Sequence, residues 1–314
     1  MNEPIALGFD IGGSKTKIGL VNGYGEVLAY NDFPTEVQAA SLDSFVQKLF
    51  EEIQALLDLV DGKVIGIGAT FLGWIDDART GPFLCMNVPA LHGINLRGLL
   101  DAEFHLPVVL IDDINAHTLA EYTYGSGQGY RRFMCLAMGT GLSAGVIIHG
   151  KPLQFTGGCA GDTGHVILRP GGPICSAGCK GCAEALIGVA GIERQGLEKY
   201  GSYKPAYEII KNAREGNDPI AIDIMRQIGL FTGELLASLS HIFLPERISL
   251  TGGIAKAGKV LLDATNEQFE QLVGDYHRLY SKFSGGYYSG VDIVSSKLED
   301  RTGLIGAVVQ LFNP

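Results

Sequence analysis

At 314 residues the chain is long enough for two domains of ordinary size, each with its own core. A net charge of −10, a sequence pI of about 5.2 and the lack of any lysine or arginine run disfavour nucleic acid and anionic membrane as partners. No stretch reads as a signal peptide and no apolar run approaches the roughly 20 residues that span a bilayer, so the expected location is the cytoplasm.

Ile5 to Asp10, Thr16 to Val21 and Val27 to Asn31 read as three short strands joined by tight turns, an antiparallel meander. The first turn is Asp10-Ile11-Gly12-Gly13-Ser14-Lys15. Its paired glycines let backbone amides approach an anion, and a phosphate is the expected guest, although glycine hairpins also arise for structural reasons alone. The turn joins two strands rather than opening a helix, which separates it from a Walker or dinucleotide loop. Helical spacing over Leu42 to Leu57, a strand from Val64 to Thr70, a helix from Leu96 to Glu103 and a strand from Val108 to Asp112 then imply an α/β sheet.

The pattern restarts with Phe133 to Met138, the turn Gly139-Thr140-Gly141 and a strand from Ser143 to Ile148. Strand, glycine turn and strand used twice predict an internal duplication, with two similar lobes and a cleft between them. A long amphipathic helix from Pro219 to Phe243 leads to a strand, Arg247 to Thr251, and a third glycine turn, Gly252-Gly253. The expected division is a smaller lobe of residues 1–115 with a returning C-terminal helix in 303–314, and a larger lobe of 116–302 carrying the cysteine loop 175–182. The returning helix, Gly303 to Leu311, is expected to pack on the first lobe.

The three glycine turns in this order, with Gly161-Asp162-Thr163-Gly164-His165 and the loop Cys175 to Glu184, resemble the ROK family of repressors, open reading frames and sugar kinases. The resemblance spans nearly the whole chain. It implies an actin-like, ribonuclease-H-like duplicated two-lobe ATPase fold and phosphorylation of a sugar hydroxyl by ATP with Mg2+. It also implies a homodimer whose partners are small molecules. Asp10, Gly12, Gly13, Ser14 and Lys15 would meet phosphates and metal, Gly139, Thr140 and Gly141 would form a second phosphate loop, and Gly252 and Gly253 would flank the adenosine. Backbone amides suit this work, because phosphoryl transfer needs positioning and charge stabilisation. ROK repressors carry a DNA-binding domain ahead of the kinase-like part, whereas Asp10 lies near the start here, so a kinase is expected.

By the same resemblance, Asp113 takes the proton of the attacking hydroxyl, while Gly73, Asn87, Asp112, Asp113, Asp162, His165 and Glu184 bind the sugar. On residue type alone, Asp112 and Asp113 read equally as caps of a helix opening near Asn115. Asn87 reads equally as a turn residue, and Trp74 as either a stacking platform or a packing side chain. Asp112 stands where the family has asparagine, Asp162 where it has glutamate and Leu72 where it has proline. These changes draw the specificity away from glucose and toward an amino sugar such as N-acetylmannosamine. A sugar-binding sensor without transfer activity is the rival reading, and polyphosphate or another nucleotide stays open as donor.

His165, Cys175, Cys179 and Cys182 offer four ligands of the kind tetrahedral zinc prefers. The family's middle cysteine position is Ala177 here, with Cys179 two residues later. Either a structural zinc closes the site through this moved ligand, or the loop is reduced and metal-free.

Overall fold

The computed structural model describes residues 3–12, 14–35, 41–60, 64–85, 88–155, 158, 160–298 and 301–313. Gly13 and Asn87, expected at the phosphate and sugar sites, lie outside the described residues. The chain divides into two compact units. One comprises Met1–Gly125, Pro152–Gly161 and Asp300–Pro314; the other comprises Ser126–Lys151 and Asp162–Glu299.

In the first unit, β1 (Ile5–Ile11), β2 (Lys15–Asn22) and β3 (Val27–Pro34) form the meander. Helix α1 (Leu42–Leu57) starts at Ser41, whose hydroxyl accepts from the Ser44 amide at 3.3 Å. Its buried Phe45, Leu49, Ile53 and Leu56 repeat at helical spacing and pack in the same core as β1. β4 (Val64–Phe71) runs parallel to β1, and a small hairpin of β5 (Trp74–Ile75) and β6 (Pro82–Leu84) follows. Helix α2 (Leu96–Phe104) then leads to β7 (Val108–Asp112), which is parallel to β4. The sheet order is β3-β2-β1-β4-β7. Strand β7 passes directly into α3 (Asp113–Tyr124), two residues earlier than the opening expected at Asn115. The expected lobe boundary at residue 115 falls inside this helix.

The second unit repeats the plan. β8 (Arg132–Met138), β9 (Leu142–Ile148) and β10 (Lys151–Pro152) precede α4 (Ala183–Ile187), α5 (Val189–Tyr200), α6 (Ala206–Glu215) and α7 (Pro219–Phe243). β11 (Arg247–Thr251), α8 (Lys259–Val273), α9 (Tyr276–Phe283) and β12 (Asp292–Ser295) complete it. The sheet order is β10-β9-β8-β11-β12, with β11 parallel to β8 and β12. Both sheets therefore join an antiparallel meander to two parallel strands, the duplication read from the repeated glycine turns. Among the described residues no helix is long and apolar enough to cross a membrane.

Helix α10 (Thr302–Phe312) returns to the first sheet and is buried over eight consecutive residues, 302–309. An apolar helix of this kind needs protein on every side. Glycines permit the approach: a Cβ on Gly68 of β4 would stand 2.1 Å from the Ala307 carbonyl oxygen, and one on Gly306 would stand 1.8 Å from that of Ala116 in α3. Backbone atoms on both sides cannot yield cheaply, so Gly306→Ala is expected to destabilise the protein by on the order of 3 kcal/mol. Urea unfolding checks this, and a loss below about 1 kcal/mol would contradict the close contact.

Candidate active site

In the first sheet the registers Ile11↔Phe71 and Phe71↔Asp112 set the C-terminal ends of β1, β4 and β7 side by side. The region beyond such ends is where α/β sheets bind ligands. Asp10, Gly73 and Asp113 all belong to it, each at or just past a strand end. Asp10 pairs with Lys17 across the hairpin, with Nζ 3.8 Å from Oδ2. Lys17 was not singled out from the sequence; its place two residues after Lys15, on the same face of β2, was the available signal. Lys15 itself turns to Asp32, at 3.3 Å. Gly303 opens α10 so close to Asp10 that a Cβ there would lie 2.7 Å from Asp10 Oδ2 and 3.2 Å from His117 Nε2.

Capping falls to Asp112 alone. One carboxylate oxygen accepts from the Asn115 amide at 3.0 Å and the other from Asn115 Nδ2 at 2.7 Å. Asn115 Nδ2 also donates to the Gly158 carbonyl, which ties the segment 152–161 to the cap. Asp112, expected among the sugar ligands, is 1% exposed with both oxygens engaged by Asn115. Asp113 is the first helical residue and keeps partial contact with solvent.

Burial, reinforced by the Asp112 and Asp10 carboxylates, pushes the Asp113 carboxyl up to about 8. Burial also raises Asp112 to about 6, against the hydrogen bonds from Asn115 that pull it down. His117, one turn further along α3, is held below its ordinary value by burial while Asp10 opposes the shift. Its Nδ1 is buried with no partner among the described residues. Trp74 is 38% exposed and meets Phe83 edge-on at 5.8 Å.

In the second unit, the register Ala137↔Thr251 brings the ends of β8 and β11 together, so the turns Gly139–Gly141 and Gly252–Gly253 become neighbours. Gly252 has φ of +91°, and a Cβ there would lie 2.4 Å from the Met138 carbonyl oxygen, so both conformation and space demand glycine. The Val189 amide donates to the Gly139 carbonyl at 3.2 Å, which sets the N-terminal end of α5, with its positive dipole end, against the Gly139 turn. A cavity of about 380 Å³ opens here, lined by Gly139, Val189, Tyr207, Ile210, Gly253 and Ile254 among others. The α6 contribution was not read from the sequence, because nothing in its local pattern ties it to a glycine turn more than 40 residues away.

Glu184 opens α4 and accepts from the Leu142 amide at 3.3 Å, beside Gly141. His165 lies with Nε2 3.6 Å from Asp162 Oδ2 and Nδ1 3.7 Å from Cys175 Sγ. His165, Cys175 and Cys179 bring one donor atom each within 4.8 Å of one another. Cys182 packs with Cys175 in the same small cluster, but stands outside that set of three. The loop closes because the Cys175 amide donates to the Cys179 carbonyl and the Gly178 amide to the Cys175 carbonyl, each at 3.0 Å. This turn carries Cys179 to His165 and Cys175. Burial pushes the Cys175 thiol up, but amides of Cys179 and Ala177 and the neighbouring thiols outweigh it and hold it below its ordinary value. A tetrahedral zinc with arms of about 2.3 Å to sulfur and about 2.1 Å to nitrogen has an S···N edge of about 3.6 Å, so the donor set fits.

The carboxyl environment has a consequence for stability. Asp113 and Asp112 are raised in the folded protein, so the unfolded chain ionises first and their contribution falls as pH rises from about 4 toward 8. Asp113→Asn is therefore expected to raise the stability of the ligand-free protein above about pH 6 and to flatten this slope. Thermal unfolding of both proteins between pH 4 and 9 checks this; an Asp113→Asn variant that is less stable at pH 8 would contradict it.

Residues 6–312 match the ROK family. The chain is 31% identical to a glucokinase of Thermotoga maritima, covering 96% of this chain and 95% of that one. It is also 31% identical to an N-acetyl-D-glucosamine kinase of Aliivibrio fischeri, over 79% and 84% of the two chains. Among solved structures, a ROK glucokinase from Streptomyces griseus in complex with glucose and AMPPNP superposes with a TM-score of 0.79 at 26% identity, covering 96% and 97%. With the two-domain actin-like fold in common and the match running from β1 to α10, the chain belongs to the ROK family.

Proposed function

We propose that the protein transfers the γ-phosphoryl group of a nucleoside triphosphate to a hydroxyl of a hexose or hexosamine, with Asp113 as general base. The observation that carries this reading is the division of labour at the end of β7: Asp112 takes the capping duty, and Asp113 opens the helix with a carboxyl that burial and the Asp112 and Asp10 carboxylates raise to about 8. A base poised near the working pH accepts a proton efficiently, and the rigid helix start fixes its direction. Asp162, His165 and Glu184 bind sugar hydroxyls; carboxylates and imidazole serve because each can share bonds with neighbouring hydroxyl groups. Gly73 supplies backbone at the end of β4. The relatives named for glucose and for N-acetylglucosamine support a hexose or hexosamine substrate.

The Gly139–Gly141 turn at the start of α5 holds phosphate oxygens, and Gly252 and Gly253 border the nucleoside in the adjoining cavity. Gly12, Ser14 and Lys15 serve the phosphates from the first hairpin. Asp10 would hold Mg2+, because its carboxylate acts on Asp113 together with Asp112, and gathered acidic groups suit a divalent cation. When bound, that ion neutralises charge on the transferring phosphoryl group. His165, Cys175 and Cys179, with Cys182 beside them, would hold a structural zinc that orients His165 through Nδ1 and leaves Nε2 to Asp162 and the sugar. We place the activity in the cytoplasm, where ATP is available. A homodimer is supported by α9, which exposes Tyr276, Leu279, Tyr280 and Phe283 at helical spacing.

ADP release with ATP and Mg2+ across neutral and amino hexoses tests the reading. Sugar-dependent turnover is expected, with Asp113→Asn reducing kcat by about 10³-fold at nearly unchanged sugar binding. Sugar binding without turnover on any member would indicate a sensor instead. For the cysteine loop, elemental analysis is expected to find about one zinc per chain, with Cys175→Ser losing the metal and lowering Tm. A metal-free, fully active protein would overturn the zinc assignment.

A further inference from the structure

The cavity beside the Gly139 turn has an uneven chemistry. Helix α6 presents Tyr207, Ile210, Lys211 and Arg214 to it, at i, i+3, i+4 and i+7, so one stripe of the helix forms the wall. Ile254, and Lys256 beyond it, belong to the turn that follows Gly253 and also line the cavity. Ile210 and Ile254 offer apolar surface of the kind a purine face needs, and the volume of about 380 Å³ is in the range of small-ligand sites. Lys211, Arg214 and Lys256 carry the charged polar groups, and every one of them is a donor with no acceptor. Among the described residues lining the cavity there is no aspartate, glutamate, asparagine or glutamine side chain. Tyr207 is the one side chain there that can accept, through a hydroxyl at the end of a largely exposed ring.

A purine edge is read by matching donors to acceptors. Adenine shows an acceptor at N7 and a donor at its exocyclic amine, and a carboxamide matches both at once. Guanine and hypoxanthine show acceptors at both N7 and O6, which Arg or Lys matches. Lys211 is only loosely held, its Nζ 4.0 Å from Glu215 on an exposed helix face, a weak pair in water. The lining thus suits the 6-oxopurine edge and has no carboxamide for the adenine amine.

We propose that the phosphoryl-donor site accepts 6-oxopurine nucleoside triphosphates about as readily as ATP, to within about threefold, with Lys211 and Arg214 as the residues that give them this standing. The inference rests on the reading that this cavity holds the base of the donor. The reaction is otherwise unchanged: the bond from the γ-phosphorus to the bridging oxygen breaks, a bond to the sugar oxygen forms, the hydroxyl proton passes to Asp113, and GDP leaves in place of ADP.

The test uses the full-length protein with Mg2+. Calorimetric binding of ADP, GDP and IDP is measured first, then kcat/KM for ATP, GTP and ITP with the best sugar of the panel. GDP affinity and GTP kcat/KM are expected to equal those of the adenine nucleotides or to fall no more than about threefold below them. In the variant with Lys211→Ala and Arg214→Ala, the guanine-to-adenine ratio is expected to drop by about fivefold or more. Adenine favoured beyond threefold in the parent protein, or an unchanged ratio in the variant, overturns the proposal while leaving the kinase reading intact. Failure of every nucleotide to bind overturns both.

Discussion

Strand β7 has no loop after it: Asp112 ends the strand and Asp113 begins α3, so the turn between the two must be held by side chains. The buried Asp112 carboxylate does this by satisfying the Asn115 amide and carboxamide together. An open helix N-terminus at this depth would leave backbone donors without partners, at a cost of about 1–3 kcal/mol each. The cap therefore fixes where α3 starts, and with it the direction of Asp113. It also holds Gly158, whose carbonyl accepts from the same Asn115 carboxamide.

This arrangement has an electrostatic consequence that a conventional neutral cap would not. With an aspartate as the cap, the base candidate carries, besides its burial, the charge effect of the Asp112 and Asp10 carboxylates. In the ligand-free protein these effects favour the protonated Asp113 carboxyl; in the proposed function a bound cation would offset the neighbouring carboxylates and favour the ionised base. Folding stability is spent at neutral pH to keep acidic groups together, as is common at functional sites.

The two units solve one problem in two ways. Each places loop residues at the C-terminal ends of parallel strands, beside a hairpin in which the backbone turns sharply. The first unit fills that location with carboxylates; the second fills it with glycines, a helix N-terminus and a cavity. In the proposed function a shared strand plan thus serves acid–base chemistry in one unit and anion and nucleoside binding in the other. The cysteine loop follows a similar economy: a tight turn between Cys175 and Cys179 carries the displaced thiol to the place the histidine and the first cysteine require.

The glycine turns, the Asp112–Asp113 pair and the cysteine spacing were legible because each is a local pattern whose chemistry depends on a few neighbouring residues. Alternation and helical spacing likewise gave most of the strands and long helices, including α1, β7, α7 and β11 with the ends observed. Short, weakly patterned elements such as α6, α9 and β12 did not stand out, and they carry side chains whose role depends on what they pack against. Which carboxylate caps α3, which face of α6 lines the cavity and whether Cys179 reaches His165 were decided only by tertiary structure. Those outcomes turn on hydrogen-bond partners, burial and strand register between residues distant in sequence, whereas the sequence by itself determined the types of group available and the turns that present them.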